Sequence, residues 1–106
     1  MVNQFEIYWV NLDPTVGAEI KKKRPCCIIS PNEMNKYLQT VIIAPLTSTL
    51  RNYPTRVSLT LKAKKGQLVL DQIRTIDKTR LLNKAGEVNK STQEKVSNIL
   101  MEMFSL

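Results

Sequence analysis

A carboxylate, four cations and a proline stand together at Glu19-Ile20-Lys21-Lys22-Lys23-Arg24-Pro25, immediately before an apolar run. Glu19 is able to take a proton. Arg24 is a permanently charged fork of donors, which fits phosphate oxygens better than a lysine ammonium does. The pairing suits chemistry on a phosphodiester. Lys21, Lys22 and Lys23 suit contact with backbone phosphates rather than readout of bases.

What the chain lacks narrows the chemistry as much. It has no histidine, which excludes His-based zinc sites, a Ser-His-Asp triad and a histidine acid/base pair. No clustered carboxylate set is in view to hold Mg²⁺, so neither a metal nor an organic cofactor is expected. Cys26 and Cys27 are sequence neighbours in an apparent strand, so their side chains point to opposite faces and form no ligand set. They read as buried thiols in a reducing compartment.

Sixteen Lys and Arg against nine Asp and Glu give a net charge of +7 and a pI near 9.7. Such a surplus attracts polyanions, or an acidic protein, over long range. The cations are spread along the chain instead of gathered in a tail. With 106 residues, 42% of them hydrophobic, residues 1–106 should form one domain with a modest core, which self-association would help to cover. No apolar run reaches the roughly 18 residues of a membrane span and no signal peptide is seen before Phe5, so a cytoplasmic protein is expected.

The elements that must position these residues are short. Phe5–Leu12 is rich in β-branched and aromatic residues and ends at the Pro- and Gly-containing turn signal from Asp13 to Gly17. The polar stretch Asp13–Arg24 is then a long loop for so small a domain, and long loops carry function. Cys26–Ile29 and Thr40–Leu46 are continuous apolar runs, as strands covered on both faces are. Between them, Ser30 is expected to cap a helical turn with Pro31 at its first position and Glu33 reaching back. Arg56–Leu61 alternates strictly, and Lys64-Lys65-Gly66 is expected to turn it into a second strand, Gln67–Ile73.

Asp77 is positioned to cap a short helical turn over Lys78–Leu82, with Ala85-Gly86 breaking the chain before a last short strand at Glu87-Val88. From Ser91, a capping box (Ser91 to Glu94) leads into Val96, Ile99, Leu100 and Met103 at helical spacing, a terminal amphipathic helix. Tyr8, Trp9 and Tyr53 are candidates for stacking on unpaired bases, although Trp9, on the first strand, reads more readily as core. Five or six short strands and one terminal helix, without strand-helix-strand alternation, give a mainly β fold: a compact, partly closed β-barrel with short helices and a C-terminal α-helix.

Three stretches, IYWVNLDPTVGAEIKKKRPCCIISP, VIIAPLTSTLRNYPTRV and LDQIRTIDKTRL, resemble the MazF/PemK family of toxin endoribonucleases nearly end to end. The resemblance implies an SH3-like barrel of the MazF/PemK/CcdB type. It implies a homodimeric toxin of a type II toxin-antitoxin system that cuts single-stranded RNA without a metal. The RNA's own 2′-hydroxyl would attack, leaving a 2′,3′-cyclic phosphate and a 5′-hydroxyl. A cognate acidic antitoxin would silence it, and DNA would be met only through that antitoxin.

Residue by residue, Arg24 matches the family's catalytic arginine and Thr47 its active-site threonine. Glu19 matches a loop glutamate able to act as base. Asp71 matches the carboxylate that one branch uses as base, but Val69 stands where that branch has an arginine, which shifts weight to Arg24. Ser48, Gln72 and Arg74 are carried over as RNA-contacting or floor-shaping positions, and Asp77 as framework. A gyrase-inhibiting toxin of the same fold and a non-catalytic RNA-binding barrel are the competing readings.

Overall fold

A computed structural model describes residues 1–106. Seven strands form one curled antiparallel sheet: β1 (Glu6–Asn11), β2 (Lys23–Ile28), β3 (Thr40–Thr47), β4 (Arg56–Leu61), β5 (Lys64–Val69), β6 (Arg74–Asp77) and β7 (Leu81–Glu87). A short helix, α1 (Asn32–Tyr37), lies between β2 and β3, and the chain ends in α2 (Lys90–Phe104). The strand order is β4-β5-β3-β2-β1-β7.

β3 is the hub, because β2 pairs along one edge while β6 and then β5 pair along successive stretches of the other. Strands β4 and β7 end the sheet without pairing, which makes it a half-barrel. Leu61 fills the gap between them. A Cβ on Gly86 would stand 2.8 Å from the end of the Leu61 side chain, which would have to shift to admit it.

Both faces of the sheet are apolar, as the unbroken runs in β2 and β3 foretell. Ile7, Cys27, Ala44, Leu46 and Leu68 belong to the larger core, on which α2 lays Val96, Ile99, Leu100 and Met103. Burial of a side chain of this size contributes about 1.5–3 kcal/mol, enough to hold a helix of this length that would be marginal alone. Val10, Cys26, Ile28, Val41 and Ile43 form a second core. The two cysteines thus face opposite ways, both buried and unpaired. Burial pushes each thiol up to about 12.

Local chemistry departs from the sequence expectations at several boundaries. Helix α1 has Pro31 at its N-cap position and no side-chain cap; Ser30 instead donates to Asn35 Oδ1 at 2.5 Å and accepts from the Ile42 N–H. The β4–β5 hairpin turns at Lys62-Ala63, not at Lys64-Lys65-Gly66, with φ of +48° and +67°, the sign a type I′ turn requires at both central residues. The expected strand Gln67–Ile73 stops at Val69 in a 3-10 turn at Leu70–Gln72, and the additional strand beyond that turn, β6 at Arg74–Asp77, is one the sequence does not foretell.

Asp77 does cap a 3-10 turn, accepting from the Thr79 N–H. Leu81–Glu87 then continues as one strand through Ala85-Gly86, because bulged pairing with β1 accommodates the glycine. Helix α2 is capped by Asn89, which accepts from the Thr92 N–H at 2.9 Å, two residues ahead of the expected Ser91.

Candidate active site

Arg24 sits in β2, paired with Val10 of β1, with its backbone fixed by the sheet and its side chain half-buried. Its Nε donates to the Lys21 carbonyl at 2.9 Å, which orients the fork. The ion pairs of the chain both involve Lys84, with Glu6 and with Glu87. Arg24 has no acidic partner, and its two terminal nitrogens remain available.

Across the sheet, Cys26 pairs with Pro45. Extending that antiparallel register by two residues sets Thr47 opposite Arg24. Thr47 is only 7% exposed and its hydroxyl oxygen accepts from the Thr49 N–H at 3.2 Å, turning the chain at Ser48. The hydroxyl proton stays free to donate toward the cleft. The turn-capping role open to any threonine after a strand is therefore compatible with a role at the site.

Arg24, Thr47 and Ser48 line one cleft of about 490 Å³. Lys22 and Lys23 border it too, and the β4–β5 hairpin brings Lys62, Lys64 and Lys65 to its rim. No aspartate or glutamate lines it. Lys21 lies outside. Trp9, expected in the core, is 37% exposed and forms part of the floor. Tyr8 instead packs against the second core, and Tyr53 lies 5.5 Å from the Arg56 guanidinium.

The hairpin lysines escape a reading of the sequence because nothing local says which loop their strand pair folds against. Gln67 also escapes it. This residue pairs with Thr47 across β3–β5 and is buried. Its amide oxygen accepts from the Arg51 N–H and from Arg56, while its amide nitrogen donates to the Arg51 carbonyl. One polar side chain inside a strand thus holds the segment that follows Thr47. A glutamine among otherwise apolar neighbours (GQLVL) is the signal.

The other expected residues gather elsewhere. Glu19, Asp71, Gln72 and Arg74 line a second cavity of about 350 Å³, whose lining meets the first at the consecutive residues Pro45 and Leu46. Glu19 makes no ion pair with the lysines; one carboxylate oxygen accepts from the Val16 N–H at 2.6 Å. Asp71 accepts from the Thr55 hydroxyl at 2.9 Å. Gln72 accepts from the Ile20 N–H at 2.7 Å and donates to the Ala18 carbonyl, and Arg74 donates to the Leu12 carbonyl at 3.1 Å. Gln72 thus holds the loop 13–22 itself, and Arg74 holds Leu12, where the chain enters that loop. No group of three or more His, Cys, Asp or Glu side chains gathers as a metal would need.

Residues 3–104 match the family described as PemK-like, MazF-like toxin of type II toxin-antitoxin system. The chain is 35% identical to the Endoribonuclease MazF of Staphylococcus epidermidis over 106 residues, covering 94% of this chain and 88% of that protein. An endoribonuclease from Mycobacterial species, solved in complex with its cognate antitoxin, superposes with a TM-score of 0.85 at 26% identity, covering 100% of this chain and 97% of that one. MazF from Deinococcus radiodurans shares the fold, with a TM-score of 0.87 at 23% identity over 99% of this chain and 97% of its own.

Proposed function

The chain belongs to the PemK-like, MazF-like toxin family of type II toxin-antitoxin systems, and from that membership we propose that it is an endoribonuclease cutting single-stranded RNA by attack of the RNA's own 2′-hydroxyl. One observation carries the assignment of the chemistry. An arginine fork without an acidic partner and a threonine hydroxyl line the same cleft, which is rich in cations and free of carboxylates.

The 2′-oxygen gives up its proton and bonds to phosphorus, and the bond from phosphorus to the 5′-oxygen breaks. The products are a 2′,3′-cyclic phosphate and a 5′-hydroxyl. Arg24 and Thr47 donate to the non-bridging oxygens, where negative charge builds up at the crowded phosphorus. Lys22 and Lys23, with Ser48 at the rim, hold flanking phosphates, while Lys21 adds to the field from outside. Glu19 or Asp71 takes the 2′-proton from the second cavity, and Gln72 and Arg74 fix the loop that carries Glu19. Arg24, with a pKa above about 12, donates a proton only to a strongly basic group, and the departing 5′-alkoxide is one.

A cognate antitoxin is the partner, and the surplus of cations favours an acidic one. We place the toxin in the cytoplasm, touching DNA only through that antitoxin; no helix is long and apolar enough to cross a membrane. A homodimer is supported by the exposed Met101, Phe104 and Leu106 at the end of α2, an apolar group that a second copy would cover.

The test is incubation of the pure protein with a long unstructured RNA in excess EDTA. Cut ends bearing 5′-hydroxyls and cyclic phosphates are expected, and a 2′-deoxy substitution at the scissile nucleotide should block the cut. Cleavage that needs an added divalent metal, or that leaves 5′-phosphates, overturns the mechanism. Tight RNA binding with no cut leaves only the non-catalytic barrel.

A further inference from the structure

The strands of the larger core run out into the floor of the cationic cleft. Alternate residues of a strand share a face, so Trp9 continues the face of Ile7 on β1, Pro25 that of Cys27 on β2, and Leu46 that of Ala44 on β3. Past Leu68 on β5 comes Gly66. A Cβ there would stand 3.1 Å from the Thr47 carbonyl oxygen and 3.3 Å from the Leu46 side chain, so β5 presses close and leaves the floor bare. The core's apolar face is thus open to solvent at one end, with Trp9 as its largest exposed member.

An open apolar floor inside a ring of unpaired lysines is a poor place for an ion and a good one for a nucleobase. A single-stranded nucleotide offers a flat π-face and, on either side, a phosphate. Protein sites for single strands combine those two features. Charge complementarity argues against a basic occupant, and no carboxylate in the lining competes for the lysines.

We infer that Trp9 is a substrate-positioning residue: a nucleobase flanking the scissile phosphate stacks on its indole, while the neighbouring phosphates lie on Lys62, Lys64 and Lys65. This rests on the RNA-cutting reading above and adds to it the surface that sets the strand's register across Arg24. Stacking tolerates every base, so Trp9 fixes where a base sits and leaves its identity to other contacts.

Trp9 is the chain's single tryptophan, so its emission reports directly on the site. The probe is a short unstructured RNA containing a mapped cut site, made uncleavable by a 2′-deoxy at the scissile nucleotide. Binding, followed separately by anisotropy of a labelled RNA end, should quench the tryptophan. An abasic residue at one of the two flanking nucleotides should remove the quench and weaken binding about five- to hundredfold, the range that the loss of one stacked base gives. Trp9→Ala should raise KM by a similar factor with kcat little changed, and Trp9→Phe should restore most of it.

RNA that binds tightly while Trp9 emission stays constant overturns the inference. So does emission that follows protein concentration and ignores RNA, which means that a second copy covers the floor. Should Trp9→Ala fail to fold, the quench and the abasic series on the wild-type protein still decide. If the wild-type protein cuts no RNA, it is the proposed function that has failed.

Discussion

The two cavities that share the Pro45-Leu46 border differ in sign and in construction. The cleft around Arg24 and Thr47 carries cations without acids; the cavity around Glu19 and Asp71 carries both carboxylates. Placed beside Arg24, either acid would form an ion pair and occupy the fork that a phosphate needs. As it stands, Arg24 has no acidic partner. Construction differs as well. Strand backbone and a tight hairpin hold the cationic side, while a loop pinned by Gln72 and Arg74 forms the lip of the acidic side. On the proposed reading, charge stabilisation falls to strand residues and proton transfer to a loop or turn residue, and one phosphate must lie within reach of both.

Removal of the cationic side's central group should have the largest effect. Arg24→Ala is expected to slow single-turnover cleavage by about two to four orders of magnitude, the range for losing a positioned donor or acid. Affinity for an uncleavable 2′-deoxy RNA should fall far less, because the lysines of the cleft keep the positive field. Arg24→Lys retains charge without the fork and should lie nearer to Ala. If rate and affinity fall in equal proportion, Arg24 is only an anchor and the division between the cavities breaks down.

The acidic side tests the division from the opposite direction. Glu19→Gln should cost about a hundredfold in rate, as loss of a general base does. Asp71→Asn should stay within about tenfold, because Asp71 already accepts from Thr55 and Val69 replaces its branch's arginine. Neutral results at both positions would place the whole reaction in the cationic cleft.

A milder change sharpens the contrast in construction. Gln72→Leu removes the bonds to Ile20 and Ala18 and should cost about 1 kcal/mol of stability. Cleavage should slow by roughly tenfold or less, in line with misplacement of Glu19 rather than its loss. Limited proteolysis should cut the 13–22 loop faster than in the wild type. An unchanged loop and an unchanged rate would show that Gln72 positions nothing.

The sequence made the first four strands and the separate faces of Cys26 and Cys27 legible, because apolar period and β-branching are local signals, but not β6 or most of β7, whose polar residues carry no such pattern. It also singled out Arg24 and Thr47 through motif resemblance. It did not show that Glu19 and Asp71 line a different cavity, since the spacing of motifs along a chain carries no information about which residues fold against one another. Trp9 was misjudged for a physical reason: its strand position matches a core residue, but the core face ends in an opening two residues beyond Ile7. The hairpin was legible and its turn was not, because Lys62-Ala63 adopts positive φ without the glycine or asparagine that normally marks such a turn.

The smallest effect concerns the buried thiol next to Pro25 in the second core. Cys26 lies within electrostatic reach of Arg74 and Arg24. Burial raises its thiol from an ordinary value near 9 to about 12, and the two arginines only partly oppose this. Cys27 is raised to about 12 by burial and by the neighbouring Cys26. A group whose folded pKa is raised holds its proton longer when folded than when unfolded. Its contribution to stability is therefore complete below pH 9 and is lost as pH rises from 9 toward 12. Lys84 and Tyr8 are shifted upward as well and titrate in alkali, so the thiols' share must be read as a difference between proteins. Denaturant melts at pH 7, 9, 10 and 11 should show the gap between wild type and Cys26→Ala narrowing as pH rises, with cleavage at pH 7 nearly unchanged. A gap that stays constant across this range would mean that the thiol ionises in the folded protein as readily as in the unfolded one. The second core around Cys26 would then be open to water.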